Sequence, residues 1–203
     1  MQIVRNNQKG FTLVEMLVAV ALFGIVMLVA VGTLLSLVTA SHKAQALQSV
    51  INNLNITIDS MSRNIRQGTN YHCGSSGDPR TTLDCPPPGA DAFSFLPYSN
   101  GAVPPPTTMY CFVGGSGGGY IARLTDGSSS CDQTDLTFAR LTAPEVSITS
   151  MTFYVFGSTT GGGGDMNQPE VVMVIKGTAR VGGTNIATTF HIQTTDVQRV
   201  LDI

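Results

Sequence analysis

The chain has 203 residues, with 11 Lys plus Arg against 13 Asp plus Glu and a formal net charge of −2. That length suits one domain with an appendage rather than two large domains. The charge balance argues against an extended nucleic-acid-binding face and leaves room only for a local basic patch.

Residues 1–10 are short, polar and basic, with Arg5 and Lys9. An apolar run then extends from Phe11 to about Val38, and Glu15 is its only charge before Lys43. A run of this length crosses a bilayer core of about 30 Å as a helix rising about 1.5 Å per residue. Basic residues before it hold that end in the cytoplasm and place the remainder on the far side. Three readings compete. A cleaved secretory signal would use Val38-Thr39-Ala40 as its small-residue site, but the apolar stretch is about twice a usual signal core. A plain signal anchor has no use for Glu15, a carboxylate that is expensive inside a membrane and normally marks function. The third reading explains both the length and the carboxylate.

Gly10-Phe11-Thr12-Leu13-Val14-Glu15 resembles the class III signal of type IV prepilins. The resemblance implies that a prepilin peptidase cuts after Gly10 and N-methylates Phe11, leaving a methylphenylalanine. It also implies that Glu15 pairs with the N-terminal amine of a neighbouring subunit during assembly. Such pairing makes physical sense, because a buried carboxylate and a buried ammonium each cost less together. Loss of Arg5 and Lys9 takes 11 basic residues to 9 against 13 acidic ones, a net charge of −4. Major pilins often carry a proline in the membrane half of this helix; Gly24 and Gly32 stand there instead.

From Ala40 to Gln67 the pattern turns amphipathic. Leu47, Ile51, Leu54, Ile58, Met61 and Ile65 recur at helical spacing, with Asn, Asp and Arg between them. Gly68 is placed as a C-cap, with Arg63 and Arg66 near the helix end where the dipole favours cations. The simplest reading is one helix from Phe11 to Gly68; the alternative is two helices with a break near Thr39–His42.

Beyond Gly68 the pattern predicts loops and strands. The segment Tyr71–Ala90, rich in Pro and Gly, reads as irregular. Strands are predicted over Phe93–Tyr98, Met109–Val113, Tyr120–Leu124, Leu136–Leu141, Val146–Phe156, Val171–Lys176 and Thr188–Thr194. The apolar phase slips between Ile148 and Met151, which predicts a bulge. The expected fold class is α+β, a long transmembrane-amphipathic helix packed on a mainly antiparallel β head, as in the pilin lollipop. The expected divisions are a leader 1–10, a membrane half 11–40, an amphipathic half 41–68 and a head 69–203.

Cys73, Cys85, Cys111 and Cys131 all follow the apolar run. An even count in an exported region favours disulfides, and four cysteines allow three connectivities. Cys73–Cys85 and Cys111–Cys131 are favoured because each closes a Gly/Pro-rich loop. Zinc is the rival, but the gaps of 12, 26 and 20 lack paired ligand spacing. The free-thiol alternative stays open.

Other signals are weaker. The glycine runs Gly114–Gly119 and Gly161–Gly164 match no phosphate-binding motif and read as loop tips. His42, His72 and His191 are scattered, and His191 falls on the polar side of a strand. Asp132–Asp135 offers too few oxygen ligands in sequence to claim calcium. The chain therefore reads as a structural subunit rather than an enzyme, with no cofactor. Its tail, Pro169–Lys176 and Thr189–Arg199, is loosely similar to the end of J-type minor pseudopilins of type II secretion systems. The resemblance implies a minor pilin or pseudopilin in the inner membrane, head outside, then in a filament. Its partners would be the prepilin peptidase, other pilin or pseudopilin subunits, the inner-membrane assembly platform and membrane lipid, with no nucleic acid. The alternative is a tip-located adhesin or a DNA-uptake module.

Overall fold

A computed structural model describes residues 10–98, 106–115, 118–125, 131, 138–159, 167–180 and 187–199. Arg5, Lys9, the Gly161–Gly164 run, Asp132–Asp135 and Leu136 lie outside the described residues. The chain divides into two compact units, Met1–Gln45 and Ala46–Ile203. Helix α1 (Leu13–Gln67) contributes to both.

In the first unit α1 runs through Thr39–His42 without a break. Among the described residues it is one helix long and apolar enough to cross a membrane, and none of its apolar window is buried within the protein. Leu17, Phe23, Leu28 and Leu34 all stand in the open. Large exposed apolar surfaces of this kind need a non-aqueous neighbour. Thr33 and Thr39 satisfy their hydroxyls on Ala30 and Leu35 carbonyls, so neither leaves an orphan donor in the apolar stretch.

The second unit is built on strands β1 (Thr69–Cys73), β2 (Cys85–Ala90), β3 (Ala92–Leu96), β4 (Thr108–Val113) and β5 (Tyr120–Leu124), then β6 (Ala139–Arg140), β7 (Val146–Phe156), β8 (Glu170–Arg180) and β9 (Ala187–Val197). They form two sheets, β1-β3-β4-β5-β6 and β2-β7-β8-β9, with every named pairing antiparallel. The architecture is α+β, a long N-terminal apolar helix followed by antiparallel sheets.

The core lies between the end of α1 and the sheets. Val50, Leu54, Met61 and Ile65 from the helix join Phe93, Phe153 and Met173 in one cluster. Sequence periodicity placed Ile51 on this inner face, but it is 54 % exposed. Val50 and the half-polar Thr57 are buried instead. Thr57 can be so because its hydroxyl is bonded to both Asn53 and Leu141 carbonyls. At the helix end, the amide of Gly68 donates to Ile65 at 2.9 Å. The left-handed residue is Asn70 (φ 54°), not Gly68. Glycine is required at 68 for another reason, since the Phe95 ring occupies the space a Cβ would need.

Strands β7 and β8 alternate buried with half-buried or exposed residues, apart from the break at the β7 bulge, as two-faced antiparallel strands should. The predicted bulge is present: Ile148 pairs with Gly177 and Ser150 with Lys176, which leaves Thr149 as the extra residue. The irregular reading of Tyr71–Ala90 needs correction, because β1 and β2 both draw on it. Strand β2 contains Pro86, Pro87 and Pro88 and is legible as a strand only in context. It sits at a sheet edge, pairing only with β7. An edge is where missing amide donors are tolerated, and prolines there block further pairing.

Candidate functional site

Gly10 and Phe11 precede the helix, both exposed, with Phe11 at 78 %. A Cβ on Gly10 would meet nothing within 4 Å. The Gly10–Phe11 peptide bond therefore lies outside helical structure.

Thr12 begins the helix. Its hydroxyl accepts from the Glu15 amide at 3.3 Å, and its carbonyl accepts from the Met16 amide at 3.2 Å. These contacts satisfy two amides in the first turn. Thr12 and Glu15 have the T-x-x-E spacing of a capping box, a signal carried by the sequence itself. Glu15 lies in the first turn, where the positive end of the helix dipole favours a carboxylate. That local role explains why an acidic residue is compatible with the helix start. It does not explain an acidic residue at the start of an apolar surface.

In the head the structure joins Cys73 to Cys85 and Cys111 to Cys131. Cys73 is on β1 and Cys85 on β2, so the first bond ties one sheet to the other. The second holds residue 131 against β4. Closing a loop of this size stabilises by about 3 kcal/mol through the unfolded chain. Replacing both Cys73 and Cys85 by Ala is expected to lower the head's unfolding free energy by about that amount, read by denaturant titration without reductant. An unchanged midpoint would show that the sheets hold together without the bond.

His42 and His191 are exposed. His72 is buried, with ring nitrogens 2.8 Å from the Thr81 carbonyl and 3.0 Å from the Ser76 carbonyl. Among the described residues no three His, Cys, Asp or Glu side chains gather as a metal site.

Polar contacts that sequence reasoning missed lie where the helix meets the sheets. Ser62 donates to the Asp196 carboxylate, a buried group whose second oxygen has no partner among the described residues. Asn64 donates to the Tyr110 hydroxyl at 3.1 Å, and the Tyr71 hydroxyl donates to the Ile65 carbonyl at 2.8 Å. Burial pushes the Tyr71 phenol well above its ordinary range, and the Asp196 charge adds to this. Burial likewise raises Tyr110, against the opposing effects of Asn64 and Arg123. Both phenols therefore stay neutral across the ordinary pH range, Tyr71 as a donor to the Ile65 carbonyl and Tyr110 as an acceptor from Asn64. Asp84 accepts from the amides of Gly157 (3.2 Å) and Ser158 (2.8 Å), pinning the turn after β7. Gly157 has a φ of 67°, which favours glycine.

These contacts are structural, and none sets a nucleophile beside a base. The distinctive chemistry of the chain is at its N-terminus. A family described as a prokaryotic N-terminal methylation motif matches residues 5–31. No curated protein and no solved structure matches the chain. The matched segment takes in Gly10, Phe11 and Glu15 and leaves the head unmatched. An N-methylation motif on a long apolar helix, followed by an antiparallel β head, supports a type IV pilin-like or pseudopilin-like protein.

Proposed function

We propose that the chain is a minor pilin or pseudopilin, a non-catalytic subunit that primes or joins a type IV pilus or secretion pseudopilus. The observation that carries this is the hexapeptide Gly10–Glu15 within the methylation motif, at the head of an apolar helix. In this reading a prepilin peptidase removes residues 1–10 and methylates Phe11. Residues 11–40 lie in the inner membrane, and 41–68 continue the helix to an extracytoplasmic head of 69–203. Arg5 and Lys9 hold the leader in the cytoplasm.

The new N-terminal ammonium and Glu15 then carry opposite charges about one helical turn apart in an apolar setting. Each is costly alone and cheaper when paired between neighbouring subunits. Other subunits and the inner-membrane platform are the partners this assembly requires. The minor assignment rests on the J-like tail and the long, loop-bearing head. A tip adhesin or DNA-uptake role would place a ligand on that head, and the acidic balance of the chain favours the structural role over a DNA-binding one.

The mass of the N-terminal peptide from the native membrane tests the reading. The expected peptide starts at N-methylated Phe11. A start at Ser41 would mean a secreted protein and a start at Met1 an ordinary anchor, and either would overturn the assignment.

A further inference from the structure

Two clefts flank the last turns of α1, both within the head unit. One, of about 370 Å³, is lined by Asp59, Ser62, Arg63, Arg66, Gln67 and Arg199. The other, of about 200 Å³, includes Asn64, Gln67, Pro97, Tyr98 and Arg123. Gln67 lines both, so the clefts adjoin across the end of the helix.

Four arginines from three parts of the chain therefore meet here: two from α1, one from β5 and one just past β9. Arg63 is paired with Asp59 at 2.7 Å. Arg66 and Arg199 have no carboxylate partner among the described residues. The Arg199 amide donates to the Arg66 carbonyl at 2.8 Å, which sets these two like-charged residues side by side. The helix dipole accounts for cations at 63 and 66 but not for those at 123 and 199, which lie on other elements. The Arg123 side chain is bonded to the Tyr110 hydroxyl, while its Nε is buried without a hydrogen-bond partner among the described residues. Beside it Tyr98 is 77 % exposed.

We propose that this double cleft docks an acidic peptide segment of a partner protein, with carboxylates on Arg66 and Arg199 and an apolar side chain on Pro97 and Tyr98. A guanidinium fork suits a carboxylate, which accepts two of its N–H groups at once. A small free anion would occupy one cleft and leave the other and the aromatic surface unused. An extended segment spans both, and the exposed ring is the kind of anchor that carries binding energy. The inference rests on the head alone and stands apart from the leader-processing assignment.

The test uses the full chain in a non-ionic detergent. The probe is a short fluorescein-labelled peptide of alternating glutamate and leucine, with its glutamine counterpart and inorganic phosphate as the comparison arms. The glutamate peptide is expected to bind, and the combined Arg66→Gln and Arg199→Gln variant to bind it roughly tenfold more weakly. Both residues are on the surface, so the fold is expected to survive, as an unchanged melting temperature would verify. Arg80→Gln, outside both clefts, is expected to bind like the parent chain. Equal binding of the glutamine peptide, an undiminished affinity in the double variant, or an equal loss in Arg80→Gln would each overturn the proposal. So would arginine-dependent binding of phosphate without binding of the peptide, which would mark a small-anion site.

Discussion

Glu15→Ala is expected to leave cleavage after Gly10 intact and to reduce incorporation into filaments by roughly a hundredfold, since breaking a buried ion pair costs about 3 kcal/mol or more. The direction of the effect is the informative part. If the helix served only to anchor the chain, removing a carboxylate from an apolar run would be neutral or would help insertion. Loss of the N-terminal cap contributes little here, because Thr12 supplies the hydroxyl that accepts from the amide at position 15. The alanine variant keeps that amide. Assembly is read by quantifying the subunit in sheared filaments, and cleavage by the mass of the N-terminal peptide. Normal incorporation of a cleaved Glu15→Ala chain would remove the carboxylate from the mechanism.

Phe93→Ala is expected to destabilise the head by about 3–5 kcal/mol, the range for removing a large buried aromatic. Phe93 is fully buried. Its ring centroid lies 5.3 Å from Tyr71, 5.7 Å from Phe95 and 5.5 Å from Phe153. These partners come from β1, β3 and β7, so one side chain bridges both sheets. The cavity would be walled by rigid rings that cannot collapse into it, which places the loss toward the upper end. Denaturant titration of the full chain in detergent measures it. A loss below about 1 kcal/mol would mean that the core repacks and that the aromatic cluster does not hold the sheets together.

Much of this protein was legible without coordinates, for physical reasons that differ along the chain. The membrane-length helix was readable because hydropathy is a local, summed property, and only one charge interrupts it. Strands β5 and β7 were placed with their observed ends: β5 is a short run of strand formers bounded by glycine, and β7 carries a two-faced alternation written in the strand itself. The bulge at Thr149 showed for the same reason: one extra residue shifts the phase of everything after it. Gly10, Phe11 and Glu15 stood out because their setting is unusual in sequence alone.

Elsewhere the tertiary structure decided. Cys85–Ala90 carries three prolines and reads as loop until β7 offers it an edge. Gly68 reads as a left-handed cap, yet its smallness serves the Phe95 ring, which lies far along the chain. Ile51 fits the helical apolar stripe as well as Leu54 does, but the sheets reach only as far as Val50, Leu54 and Thr57. The arginines at 66, 123 and 199 are separated by dozens of residues and gather only because β5 and the end of β9 both approach the end of α1. Local pattern determines the long apolar helix and most of the strands. Which faces are covered, which glycine is indispensable and which charges become neighbours depend on contacts between distant segments, and those no local pattern contains.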